Sequence, residues 1–231
     1  MSHGFVVPAF VFQQMAVLEE WNAVADEWDE RDGGRAQWVY HLVKKHVPIT
    51  PDMTVLDFGC GTGLIADALR QDVKKVVGVD AAVCMVEVCE EKVELQKWKN
   101  VQVYRALLGD PSDEDTQEIL RKYKDKFDVI IANSVLLSVI PETIGTTMSA
   151  LGWLLKPNGY FCHTEKPGDE KGFTTEKAQI FYEKAGLEMV STSVVTCDIQ
   201  PASDVFFGIA QKRFGRKHCC EFEVPCIDYS E

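Results

Sequence analysis

The chain has 231 residues, 46% of them hydrophobic and 26% charged. That is enough apolar material for one soluble domain with a sizeable core. Its formal charge of −12 argues against nucleic acid as a partner, because phosphate binding rests on clustered Lys and Arg. A neutral or cationic small ligand suits such a surface better than a polyanion.

Eight cysteines, none in a C-x-x-C pair, do not form a disulfide framework and read as reduced thiols. The apolar run from Phe5 to Phe12 is broken by Pro8 and has no basic residue ahead of it. It is too short to span a bilayer and lacks the n-region of a signal peptide. The first arginine is Arg31, which argues against a transit peptide. The expected location is the cytoplasm, with no membrane partner.

In chain order, residues from about Gln13 to Trp28 show helical apolar spacing. Gly33-Gly34 predicts a break, and a second helix follows from about Arg35 to His46, stopping before Pro48. These helices precede the first core strand, so they cannot belong to the central α/β unit. Val55-Leu56-Asp57-Phe58 reads as a short buried strand, followed by Gly59-Cys60-Gly61-Thr62-Gly63 and then a helical run from Leu64 to Arg70. Strand, glycine turn and helix are the parts of a nucleotide-binding crevice, in which glycines let the backbone approach a ligand. A dinucleotide fingerprint needs its third glycine where Leu64 stands, and a P-loop needs Gly-Lys-Ser/Thr, which does not follow.

What stands here, Asp-x-Gly-x-Gly-x-Gly over Asp57–Gly63, resembles motif I of the class I S-adenosylmethionine-dependent methyltransferases. The resemblance implies S-adenosylmethionine as cofactor, with Asp57, Gly59, Cys60, Gly61 and Gly63 in its site. Trp21 to Asp29 is similar to the family's "W-x-x-x-A-x-x-W/Y-D" cap pattern. It implies that Trp21 and Trp28 cover the cofactor; simple packing on the core is the alternative.

The next strand, Lys74 to Asp80, ends in an acid near the spacing at which a carboxylate meets a ribose. Ala81 and Met85 follow in register with the family's "D-x-S-x-x-M", although Ala82 replaces its serine. Met85 lines either the adenine pocket or the core. A helix from about Val83 to Trp98 leads to a third strand, Val101 to Tyr104. Here the family usually has "G-D-A", its Asp holding the adenine. This chain has Ala106-Leu107-Leu108, with Gly109-Asp110 three residues late, so either Asp110 or backbone near Leu107 and Leu108 serves the adenine. Asp113-Glu114-Asp115 opens a helix, where acids suit the dipole.

Phe127 to Asn133 is a fourth, doubly buried strand that resembles the family's "F-D-x-I-x-x-N/S". It places Asn133 and Ser134 at the carboxyl edge where such sheets bind ligands. No Asn/Asp-Pro-Pro-Tyr or Phe is present, which argues against methylation of nucleic-acid bases. A helix from about Glu142 to Leu155 precedes Lys156-Pro157-Asn158-Gly159, which fits a type I turn and resembles "L-L-K-P-G-G". The fifth strand, Tyr160 to Thr164, carries His163, read either as a packed structural histidine or as a general base; Glu165 lies two residues on. A helix from about Thr175 to Ala185 ends at Gly186, and Met189–Cys197 and Asp204–Lys212 should pair as an antiparallel hairpin.

The expected fold is α/β: a doubly wound, mostly parallel seven-stranded sheet with a C-terminal antiparallel hairpin. One domain is expected over residues 1–231, with a helical cap at 1–48, the α/β core at 49–213 and a tail at 214–231. His218-Cys219-Cys220 and Cys226 in that tail lack the recognised spacings of zinc ligands, so no metal is expected. The resemblance implies methyl transfer to a small molecule. A protein methyltransferase and a non-catalytic S-adenosylmethionine-binding subunit are the alternatives.

Overall fold

The computed structural model describes residues 9–213; the Cys-containing tail and its expected lack of a metal site lie outside that range. Val55 and Leu56 are fully buried, and strand β1 (Thr54–Phe58) runs up the middle of a seven-stranded sheet. Strand β2 (Lys75–Asp80) flanks it on one side and β3 (Val101–Arg105) lies beyond. On the other side stand β4 (Phe127–Asn133), β5 (Leu155–Glu165), β7 (Ser203–Gln211) and β6 (Glu188–Cys197).

Strands β1 to β5 are parallel, whereas β7 pairs antiparallel with both β5 and β6. The mostly parallel seven-stranded sheet with a terminal antiparallel hairpin is as expected, and its spatial order is β3-β2-β1-β4-β5-β7-β6. It reverses direction between β1 and β4, and the crevice at that reversal is where open α/β sheets take ligands. Both faces of β4 are buried, which matches its unbroken apolar run.

Helices cover both faces. Helix α3 (Leu64–Leu69) packs on one side with α2 (Trp28–His46), over Val55, Val76, Val129 and Ile131. On the other side lie α5 (Glu114–Lys122), α6 (Ile144–Leu154) and α7 (Thr175–Lys184), over Leu56, Val77, Ile130 and Phe161. Helix α4 (Val83–Leu95) carries Met85, which meets the cap residue Ala25. Asp113 caps α5, its carboxylate accepting from Thr116 N–H, so the acids there are structural as expected.

Two local expectations are corrected. The first cap helix, α1 (Ala9–Asn22), ends early, and a 3₁₀ turn (Ala25–Glu27) links it to α2. Helix α2 then runs unbroken through Gly33-Gly34. Glycine in a helix costs about 1 kcal/mol relative to alanine, and at Gly34 it accompanies a close approach. A Cβ on Gly34 would stand 3.2 Å from Ile199 Cγ2. The second correction is the Lys156–Gly159 segment, which belongs to the irregular start of β5. Asn158 has φ 64°, incompatible with the third position of a type I turn. Its N–H donates to the carbonyl of Lys212, just past the end of β7, at 2.6 Å.

Candidate functional site

A cavity of about 340 Å³ opens at the carboxyl ends of β1, β2 and β4, under the cap helices. Gly59, Cys60 and Gly61 form its floor, and Asp80, Ala81 and Met85 one wall. Leu108 stands on the opposite side with Ala106, Leu107 and Gly109; Asn133 and Ser134 close the end, and Trp21 and Trp28 form the roof. Eleven of the fourteen residues singled out from the sequence therefore meet around one space.

The glycine turn is shaped for this by two different constraints. Gly59 has φ 68°, and a Cβ there would fall 2.4 Å from Val135 Cγ2. Gly61 has φ 52°, yet a Cβ on it would meet only Met85 Sδ at 3.8 Å and Trp28 Nε1 at 3.9 Å, both in the cavity wall. A side chain at Gly61 would thus fill ligand space rather than collide with the fold. The vacant volume suits a backbone that must approach a ligand closely.

Asp80 carries the electrostatics. Its Oδ2 accepts from Gly61 N–H and its Oδ1 from Ala82 N–H, both at 2.8 Å. Burial raises its pKa, opposed by the N–H groups of Ala82, Gly61 and Ala81. Each carboxylate oxygen has lone pairs beyond these bonds, so Asp80 can also accept from a vicinal diol. Asp110 turns inward on its own loop, accepting from Ser112 N–H and Oγ, and is absent from the cavity wall that Leu107 and Leu108 form.

Three expected site residues stand elsewhere. Asp57 is fully buried behind the glycine turn, and its carboxyl is pushed up to about 7, chiefly by burial and secondarily by Asp80. Its Oδ2 has no partner among the described residues. Gly63 caps α3, and a Cβ there would lie 2.5 Å from Cys89 Sγ, so helix packing demands it. His163 is 1% exposed, stacked on Phe161 and edge-on to Phe173, and its Nε2 shares a 2.8 Å hydrogen bond with Tyr182 OH. Burial drives its pKa down to about 3. It does not line this cavity. His163, offered by the sequence as a general base or a packed structural histidine, thus stands in the core away from the cavity.

The cap is tied down by Asp29, which accepts from Thr62 Oγ1 of the glycine turn at 2.6 Å and pairs with Lys92 of α4. Asn22 Oδ1 accepts from Cys84 N–H at 2.9 Å. Sequence reasoning missed Asp32 and Arg35. Both line the cavity, with Arg35 Nε 3.6 Å from Asp32 Oδ1. Burial raises the Asp32 carboxyl to about 6 against the pull of Arg35. Their i, i+3 spacing was the available signal, masked by the break expected at Gly33-Gly34.

Residues 56–161 match a family model described as a methyltransferase domain. The chain is 32% identical over 108 residues to the ribosomal protein L11 methyltransferase of Acetivibrio thermocellus, covering 46% of this chain and 29% of that protein. It is 32% identical over 109 residues to the ubiquinone biosynthesis O-methyltransferase of Histophilus somni, covering 46% and 41%. The matched stretch spans less than half the length of these curated relatives. In fold, the chain is similar to a SAM dependent methyltransferase from Aquifex aeolicus, with a TM-score of 0.64 at 20% identity over 83% of this chain and 98% of that one. Among the described residues, no helix is long and apolar enough to cross a membrane. The matched methyltransferase domain spans the crevice, and the seven-stranded fold around it is similar to that of the Aquifex aeolicus SAM dependent methyltransferase.

Proposed function

We propose that the chain transfers a methyl group from S-adenosylmethionine, held in the cavity under the cap, to a small-molecule acceptor. The observation that carries this reading is Asp80, its two oxygens fastened by Gly61 and Ala82 N–H groups at the cavity wall. In this reading Asp80 accepts the ribose hydroxyls, Gly59, Cys60 and Gly61 pass beside the methionine portion, and Leu107 and Leu108 border the adenine with Met85. Asn133 and Ser134 stand at the transfer end. Trp21 and Trp28 exclude water. Asp57 and Gly63 support the turn from behind rather than touching the ligand.

The cofactor, when bound, supplies a methyl on a sulfonium, an intrinsically good leaving arrangement. The protein's part is to orient the nucleophile and keep the site dry, an effect that can supply roughly 7–11 kcal/mol. A dedicated base is then required only for acceptors that lose a proton. The domain reading accompanies this one: residues 1–48 as cap and 49–213 as catalytic core.

A second reading, a macromolecular acceptor, is favoured by the names of two relatives, the L11 methyltransferase and an uncharacterized RNA methyltransferase of Clostridium tetani. The deciding experiment incubates the protein with methyl-labelled S-adenosylmethionine and a cell extract split by mass. Label in the low-mass fraction supports the small-molecule reading. Label confined to protein or RNA overturns it.

A further inference from the structure

A second cavity, of about 440 Å³, adjoins the first, and Arg35, Asn133 and Ser134 line both. It lies between α2, the end of β5 and the start of β7, a size and position suited to a small ligand. Its walls carry two cations. Arg35 Nη2 donates to Ser203 Oγ at 2.9 Å, which fixes the guanidinium while leaving further N–H groups of its fork for a ligand. Lys166 is exposed, and its ammonium has no hydrogen-bond or ion-pair partner among the described residues.

The nearby carboxyls offset this charge only in part: Asp32 pairs with Arg35 from the first cavity, and Asp204 stands exposed in the second cavity's wall. Glu165 is 2% exposed, and its Oε1 accepts Leu136 N–H at 2.7 Å. Burial holds it at about 8, so it is largely neutral at pH 7. Asp204 is exposed and accepts from Thr196 Oγ1 at 2.8 Å. The chain's overall negative charge acts weakly here, because screening over about 8 Å at physiological salt leaves local groups in control.

We propose that this second cavity receives the methyl acceptor, and that Arg35 and Lys166 hold a carboxylate on that small molecule. The inference rests on the cofactor reading of the first cavity and narrows its acceptor to a carboxylic acid. Arg35 offers a planar fork that matches a carboxylate, and Lys166 a mobile point charge at the mouth. The carboxylate is the recognition handle. The nucleophile points toward Asn133 and Ser134, where the two cavities meet.

The test uses ligand-observed NMR on the full chain saturated with S-adenosylhomocysteine. Benzoate, 4-hydroxybenzoate, anthranilate and short aliphatic acids are each compared with their primary amides. At least one acid should bind while its amide does not. Lys166→Ala and Arg35→Gln should each weaken that binding roughly tenfold or more, and Lys166→Arg should restore most of it. Amides binding as well as acids, or no acid binding, overturns the proposal. Calorimetry with S-adenosylhomocysteine reports on the first cavity separately. Acid binding without cofactor binding would keep the acid site and sink the methyl-transfer reading, whereas the reverse would sink the acid site alone. Lys166 is exposed, so its variants test charge without threatening the fold.

Discussion

Asp80 Oδ2 accepts a 2.8 Å hydrogen bond from Gly61 N–H, joining the end of β2 to the middle of the glycine turn after β1. One carboxylate thereby shapes the floor of the cavity and presents its remaining lone pairs to whatever binds there. The floor and the ligand compete for the same group, so its loss acts twice.

Asp80→Asn should weaken S-adenosylhomocysteine binding by about 1.5–3 kcal/mol, the range for hydrogen bonds to a charged group. Titration calorimetry measures it. Unchanged affinity in a folded variant would remove Asp80 from the ligand contacts.

The two glycines of the turn should fail differently. Gly59→Ala places a Cβ 2.4 Å from Val135 Cγ2, and its main effect should be a lower melting temperature, with an overpacking cost of about 1–3 kcal/mol. Gly61→Val has room within the fold and should abolish cofactor binding instead, with only the roughly 1–2 kcal/mol cost of a left-handed residue in stability. Thermal unfolding and calorimetry on both proteins separate the effects. Retained binding by Gly61→Val would sink the assignment of this cavity.

Tyr182→Phe should destabilise the protein by about 1–3 kcal/mol, because it leaves the buried His163 Nε2 without the Tyr182 OH. The KM for cofactor should not move, since neither residue lines a cavity. His163 also sets an acid limit. Its folded pKa near 3 lies below the ordinary 6.5, so the unfolded chain binds the extra proton and stability falls as pH drops through that window. A changed KM with intact stability would restore His163 to the site.

Glu165 works in the opposite sense. It stays protonated in the fold up to about pH 8 but ionises near 4.5 when unfolded. Between those values the folded state binds more protons, so stability falls as pH rises, by at most about 1.4 kcal/mol per pH unit for one proton. Asp57 adds the same sign between 3.8 and about 7. Melting temperatures should therefore fall from pH 5 to pH 8, less steeply in Glu165→Gln. Equal slopes would mean that Glu165 is ionised in the fold.

Much of the architecture was legible because it is written locally. The apolar runs of β1 and β4, the acid ending β2, the glycine turn and the hairpin of β6 and β7 each follow from neighbouring residues and their spacing. The failures share a cause. Gly33-Gly34 reads as a break by propensity, but helix α2 continues through it, with Ile199 from a distant loop packed close to Gly34. His163 and Glu165 sit two apart on one strand with the same sheet face. One meets Tyr182 and three aromatic rings, whereas the other reaches the second cavity.

The sequence by itself determined the succession of strands and helices, the glycine turn and the acid that answers it, since backbone conformation and burial periodicity are properties of short stretches. Only the tertiary structure decided which polar groups face open space. It turned Asp57 and His163 into the core, aimed Arg35 into the junction of two cavities, and put Leu107 and Leu108 rather than Asp110 in the wall of the first. The physical reason is that a side chain's pKa, partners and access depend on what packs against it from distant parts of the chain.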